Sequence, residues 1–356
     1  MKKRSRGNQP SPTPHDNVPV ATVAIVIALP EERDYFNDVM RVRPGWDVPT
    51  PRGRYSCYYA SPHGLVQVIV QTLPNMGNIE ATLATSALLA ATGPDLVIMV
   101  GLAGSLEPKK VHLGDVVISN QAKLYSSDKV ASMGSGNTGK RKYRFVDVDG
   151  ADGEIRVDRR DGFMTSSFLR YERKFVESPG TDELISRVEL TLKKDLSWLK
   201  RVRAEQIPEA YRAAYKARSE CVLHSGWLLA SPHVVDSAEY RDYLVNKNTD
   251  LTLDVHRQNN EADRVPWTKG DLLAVDMESY GVLRAVEAIR TAPTTQGGVP
   301  DVLGGIIVRG ISDLCEEKAR TDEGSSNETR EIAVHNAAEV AIRIVENIDY
   351  GELLGR

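Results

Sequence analysis

The run VATVAIVIAL, residues 20–29, holds one hydroxyl and no charge. It lacks the apolar–polar alternation of a strand with one wet face. Such a run suits a central strand buried on both faces, and sheets built of such strands are covered by helices on both sides. Pro30-Glu31-Glu32 then opens a helix, with proline and acidic residues in its first turn. Leu65 to Gln71 reads as a second strand. Gly77-Asn78 starts a helix through about Ala91 whose apolar residues lie nearly all round, which predicts burial. Asp95 to Gly101 (DLVIMVG) is another buried strand, ending in the small-residue turn Gly101-Leu102-Ala103-Gly104-Ser105. GDVVIS (114–119), Leu273 to Met277 and Gly304 to Ile311 read as further strands. A last helix, about Thr329 to Ile348, repeats apolar residues at Ala333, Ala337, Val340, Ala341 and Ile344. Strands alternating with helices predict an α/β chain, a three-layer α/β/α sandwich with a central mixed sheet. Ligands of such folds sit at the carboxyl ends of strands, which gathers Glu32, the 101–105 turn, Glu278 and Asp313 into one neighbourhood.

The pattern degrades between Asn120 and Leu223. Residues 121–165 are polar and rich in Gly and Asp, with pieces such as YRFVDV that suit a hairpin, and 183–218 suggest two helices, the second opening at Pro208. The expected organisation is a disordered tail over 1–19, then one domain over 20–356 with insertions at about 121–220 and 248–270. The tail is basic, then rich in Pro, Ser and Asn, and lacks the apolar stretch of a secretory signal. Cys57, Cys221 and Cys315 are too widely spaced for a disulfide framework or a metal knuckle, and suit a reducing cytoplasm. A net charge of −4 argues against coating nucleic acid, and no apolar run is long enough to cross a bilayer. A small-molecule partner is expected, with no metal or cofactor.

GSGNTGKR (134–141) fits the phosphate-loop spacing G-x-x-x-x-G-K but ends in Arg141, where a hydroxyl would hold magnesium. A working loop needs a buried strand before it and a helix after it. DKVAS precedes the glycines and KYRFVDV, which prefers strand, follows them. The Walker reading fails. The cations Lys140, Arg141, Lys142 and Arg144 remain, either as a solvated loop balanced by Asp147, Asp149, Asp152 and Glu154, or as a flap over substrate phosphates.

Four pieces occur in order: IALPEE (27–32), GLAGS with GDVVIS (101–105, 114–119), VDME (275–278) and IIVRGISD (306–313). Together they resemble the nucleoside phosphorylase and nucleosidase superfamily, closest to its methylthioadenosine/S-adenosylhomocysteine nucleosidase branch. The resemblance covers most of 20–120 and 222–348. It implies cleavage of a purine from ribose, with Asp313 as the general acid toward the leaving base and Ser312 beside it. It implies that Glu278 accepts from the ribose hydroxyls, that Met277 lies against ribose or base, and that Glu32 activates the attacking water. Arg309 would stand near that water and orient Glu32, and the turn at Ala103 and Gly104 would supply backbone contacts.

Each residue also has a plainer reading. Asp313 suits a cap on the segment that follows, Glu278 a helix start, Met277 core packing and Arg309 a surface ion pair. Val234, in the short segment ASPHVV (230–235), is placed near the base, while His233 reads as structural. Asp276 stands where the nucleosidase branch usually has Glu, and Leu102 where relatives often have a hydroxyl. Phosphorylase relatives carry Gly and Arg in the first loop and an Arg two residues before the glycine turn; here the loop is ALPEE and the residue is Met99, which favours water over phosphate as nucleophile.

The insertions and their cations, Lys140 to Arg144 and further at Arg156, Arg159, Arg160, Arg170, Arg173 and Lys174, are similar to branches linked to immune signalling that act on adenine nucleotides. The favoured substrate is therefore ATP or AMP. A methylthioadenosine/S-adenosylhomocysteine nucleosidase, a phosphate-dependent phosphorylase and a binding module without turnover stay open as alternatives. The resemblance also implies a homo-oligomer, dimer or hexamer.

Overall fold

The computed structural model describes residues 18–49, 54–62, 64–124, 175–249, 271–291, 302–316 and 327–350. Twelve strands among these join one mixed sheet. β1 (Ala21–Ile27) leads into α1 (Pro30–Arg41). β2 (Trp46–Asp47), β3 (Tyr55–Ser61) and β4 (Gly64–Thr72) form an antiparallel meander, and β4 lies parallel beside β1. After α2 (Asn78–Thr92), β5 (Leu96–Ser105) lies parallel on the other side of β1, with Ile98 opposite Ile25.

The chain continues through β6 (Val116–Ser119), β7 (Gln121–Leu124), β8 (Phe175–Glu177), α3 (Asp182–Leu192), α4 (Glu209–Lys216), β9 (Leu223–Ser225) and β10 (Trp227–Ala230). It ends with α5 (Ala238–Thr249), β11 (Leu272–Asp276), α6 (Ser279–Arg290), β12 (Gly304–Asp313) and α7 (Asn327–Asn347). β5 is the hub. It pairs in parallel with β1 and β12 along its length, and its last residues, Gly104 and Ser105, pair antiparallel with Val275 and Ala274 of β11.

Burial explains the continuous apolar run. Val23, Ala24, Ile25, Val26 and Ile27 are all fully buried. Val23, Ile25 and Ile27 meet Phe36, Val39 and Met40 of α1 and Ala337, Ala341 and Ile344 of α7. Ala24 and Val26 share the opposite core with Leu88 and Leu89 of α2 and Val282, Leu283 and Val286 of α6. Each large side chain so buried contributes about 1.5–3 kcal/mol relative to exposure. Helices on both faces of a mixed sheet make the expected three-layer sandwich.

One expectation changes. α2 is not buried all round: Ala81, Leu88 and Leu89 face the core, but Ile79 and Leu83 are 77% and 62% exposed. The helix packs on α6 and the sheet with one face, and no described element covers the other. In the stretch after Asn120, β7 extends the main sheet beside β10 and pairs with β8. The two helices foreseen over 183–218 are α3 and α4, with Pro208 capping the second. The YRFVDV hairpin, the cations from Lys140 to Arg144 and residues 250–270 lie outside the described residues.

Candidate active site

The carboxyl ends of β1, β5, β11 and β12 converge on a cleft of about 360 Å³. Glu32, Ala103, Gly104, Val234, Met277, Glu278, Ser312 and Asp313, all singled out in the sequence, line it. Val234 is 56% exposed at its rim, and His233 is also exposed there rather than part of the core. Met277 is half-buried.

Glu32 sits in the first turn of α1, its Oε2 accepting the Leu29 N–H at 3.3 Å. That is the helix-start role of an acidic residue at this position. The side chain is nevertheless buried and faces the cleft. Burial pushes its carboxyl up to about 7; Arg309 opposes the shift and Glu278 adds to it.

Arg309 lies beneath the floor, fully buried, which removes the surface ion-pair reading. Its Nε donates to Asp276 Oδ2 at 2.8 Å, and its Nη2 lies 2.6 Å from the same oxygen and 3.2 Å from Glu278 Oε2. Nη2 also approaches Met99 Sδ at 3.3 Å, so Met99 packs on the guanidinium. Nη1 is buried with no hydrogen-bond partner among the described residues. It shares a place with Glu32: a Cβ on Gly101 would lie 2.2 Å from Nη1 and 2.9 Å from Glu32 Oε2. Gly101 is the residue that lets the Glu32 carboxyl and the guanidinium converge against the strand.

Glu278 ends the turn after β11 as the N-cap of α6, the helix-start position foreseen for it. It is buried, its Oε1 accepts the Gly77 N–H at 3.1 Å, and desolvation raises its pKa against the pull of Arg309. Asp276 is the shorter residue of VDME. Its carboxylate accepts from the Ser279 hydroxyl at 2.7 Å and from the Ser279 N–H, as well as from Arg309. Its shorter side chain therefore ties α6 to Arg309, a role that sequence reading missed.

At the other end, Asp313 closes β12. Its Oδ2 accepts from Ser312 Oγ at 3.0 Å and its Oδ1 from the Cys315 N–H at 3.0 Å. The capping role and a place in the cleft coexist. Cys315 has φ of 58°, the one positive value among the described non-glycine residues, and this turn aims its N–H back at the carboxylate. A Cβ on Gly104 would lie 2.6 Å from Asp313 Oδ1 and 2.5 Å from Cys315 Sγ, so this glycine also makes room for a carboxylate. Gly101 and Gly104 are three residues apart, about 10 Å of strand. The Glu32 end and the Asp313 end of the cleft thus lie beside positions three residues apart on β5.

Residues 22–158 match the family model of the phosphorylase superfamily. The fold agrees. The structure aligns with a Helicobacter pylori 5′-methylthioadenosine/S-adenosylhomocysteine nucleosidase in complex with a ligand at TM-score 0.53 and 18% identity, covering 93% of this chain and 100% of that one. The chain has the phosphorylase-superfamily fold.

A second structure, the futalosine hydrolase of Helicobacter pylori, aligns at TM-score 0.52 and 17% identity over 92% of this chain and 99% of that one. In sequence, the chain is similar to 5′-methylthioadenosine/S-adenosylhomocysteine nucleosidases. The Staphylococcus carnosus enzyme is 34% identical over 65 residues, 18% of this chain and 28% of that protein. The Aeromonas salmonicida enzyme is 28% identical over 109 residues, 31% of this chain and 44% of that protein. The matched stretches span less than half the length of these relatives.

Beyond the residues foreseen, Asp276, Met76, Cys315 and Arg330 line the cleft. Asp276 lay inside the VDME piece, and Cys315 two residues after the SD pair. Met76 and Arg330 carried no motif. Among the described residues no cluster of His, Cys, Asp and Glu has the form of a metal site, and no helix is long and apolar enough to cross a membrane.

Proposed function

We propose that this chain is an N-glycosidase that hydrolyses the bond between a purine and ribose, with an adenine nucleotide, ATP or AMP, as the favoured substrate. The observation that carries the reading is the convergence over Gly101 of Glu32 Oε2 and Arg309 Nη1, which has no hydrogen-bond partner among the described residues, with Asp313 of the neighbouring β12 beside Gly104, about 10 Å farther along β5. In this reading a water between Glu32 and Arg309 attacks C1′ while the C1′–N9 bond breaks. The bond's electrons pass to the purine, Asp313 delivers a proton to its imidazole-ring nitrogen, and Glu32 takes a proton from the water. The products are the free base and the ribose or ribose phosphate.

Charge favours the transition state in three ways. Glu278 faces the ribose and steadies the developing oxocarbenium ion, as a fixed carboxylate does best away from water. Glu32 titrates near 7, where a general base is most effective. Arg309, held by Asp276 and Glu278, has no freedom to follow the water and so orients it. Met99, at the position where phosphorylase relatives carry a cation, packs on that arginine and supports water over phosphate as nucleophile. A methylthioadenosine/S-adenosylhomocysteine nucleosidase is the second reading, favoured by the sequence relatives.

Chromatography after incubation with ATP, AMP, adenosine or methylthioadenosine, with and without phosphate, tests the proposal. Adenine from ATP or AMP without phosphate is the expected result. Adenine from methylthioadenosine alone would support the second reading, a strict need for phosphate would displace water, and no base from any of them would overturn the glycosidase reading. A defence role and the oligomer belong to this proposal and follow only from the resemblance, while the cytoplasmic setting is proposed from the widely spaced cysteines. The phosphate flap at Lys140, Arg141, Lys142 and Arg144 is proposed from that run of cations. Replacing the four with Ala is expected to raise the nucleotide KM far more than that of adenosine.

A further inference from the structure

The last helix lies unusually close to the strand that carries the acid. Gly310 of β12 has no side chain, and a Cβ there would sit 1.8 Å from the carbonyl oxygen of Ala333 in α7. The helix backbone therefore rests directly on the strand. Arg330 precedes Ala333 by three residues, so it shares that face one turn earlier, about 4.5 Å along the axis. This brings it over the carboxyl end of β12, near Ser312 and Asp313. It is half-buried and lines the cleft together with Glu32, Met76, Leu102 and Ser312. Its charge reaches Glu32, where it opposes the upward shift of that carboxyl.

The cleft is otherwise anionic. Glu32, Asp276, Glu278 and Asp313 all line it, while Arg309 lies below them with its charge engaged by Asp276 and Glu278. Arg330 is the one arginine or lysine among the described residues lining the cleft, and the exposed His233 is its only other basic side chain there. A neutral nucleoside has no use for a guanidinium at this point, since Met76 and Leu102 already offer apolar surface to a thioether. A phosphorylated one would meet four carboxylates without it. A guanidinium matches a phosphate with two parallel N–H bonds, and it holds its charge at every working pH.

We propose that Arg330 is the specificity residue of this cleft, receiving the phosphate borne on the 5′ carbon of a nucleotide. The proposal rests on the purine-nucleotide reading above for the orientation of the ligand, but its test does not need turnover. Binding of AMP and of adenosine is measured by calorimetry on the Asp313→Asn chain, with Arg330 intact or changed to Gln or Lys. With Arg330 intact AMP binds more tightly than adenosine. Arg330→Gln is expected to weaken AMP about tenfold or more, the effect of losing a charged hydrogen bond, and to leave adenosine within about twofold. Arg330→Lys restores part of the AMP affinity, because the charge survives and the fork does not. Equal losses for both ligands, an unchanged AMP affinity, or no preference for AMP in the parent would overturn the proposal.

Adenine release by the otherwise unaltered chain separates the two ideas. AMP selectivity that depends on Arg330, with no adenine released, retains the phosphate site and overturns the glycosidase. Adenine released equally from both ligands, with Arg330→Gln affecting both alike, retains the glycosidase and overturns the phosphate site.

Discussion

Two buried carboxylate clusters sit on the same sheet and are used in opposite ways. Asp115, just before β6, is fully buried and saturated. Its Oδ2 accepts the His112 N–H at 2.8 Å and Arg218 Nη2 at 2.9 Å and lies 3.0 Å from His224 Nε2, while its Oδ1 accepts the Val222 N–H at 2.9 Å. Its backbone carbonyl accepts the Ile311 N–H, two residues before Asp313. The cleft cluster places Glu32, Asp276 and Glu278 around one buried arginine, and leaves one guanidinium nitrogen without a hydrogen-bond partner among the described residues. A carboxylate whose lone pairs are filled by fixed donors is a scaffold. Carboxylates that share one cation, and open onto a cleft, retain the capacity to exchange protons.

The largest expected effect that sharpens this contrast is on catalysis. Asp313→Asn should lower kcat about 10²–10⁴-fold, the usual contribution of an acid, while circular dichroism and ligand binding persist. Normal turnover by this variant would remove Asp313 from the acid role. Asp115→Ala should act on the other side of the comparison, costing about 2–4 kcal/mol in denaturant unfolding because buried donors lose their acceptor. If it abolished activity in a chain of unchanged stability, the scaffold assignment would be wrong.

A smaller effect distinguishes Glu32. Below about pH 7 its carboxyl is protonated, so kcat should fall close to tenfold per pH unit there and level off above. Glu32→Gln should abolish that limb. Because the folded pKa is raised from 4.5 to about 7, the native state holds a proton that the unfolded chain releases, and stability declines as pH rises across that window. Glu32→Gln should therefore gain melting temperature relative to the parent at pH 8 and none at pH 4. The smallest effect is expected at the rim of α2, where Ile79→Ser and Leu83→Ser should each change the stability of the isolated chain by less than about 0.5 kcal/mol. A larger loss would mean that something covers this face.

Much of this was legible in the chain. The strand at residues 20–29, the helix opening at Pro30 and the strand ending in VRGISD are where periodicity and punctuation placed them. Glu32, Glu278 and Asp313 reach one cleft because each stands at or just beyond the carboxyl end of a buried strand. The exposed face of α2 was not legible, since apolar residues all round a helix say that it can be buried, not that a partner is present. Arg330 was not legible either. In NETREIAVH it is one polar residue of a helix start, and only the contact of Ala333 on Gly310 brings it over the cleft.

By itself the sequence determined the buried strands and the residue types at their ends, because a strand covered on both faces must be apolar at every position whatever covers it. Tertiary structure decided what those ends became. That Asp276 and Glu278 share Arg309, that Glu32 titrates near 7, and that Arg330 lines the same cleft are properties of chain segments far apart in sequence and brought together by the fold. Charge interactions depend on distance and burial, and neither is written in the order of the residues.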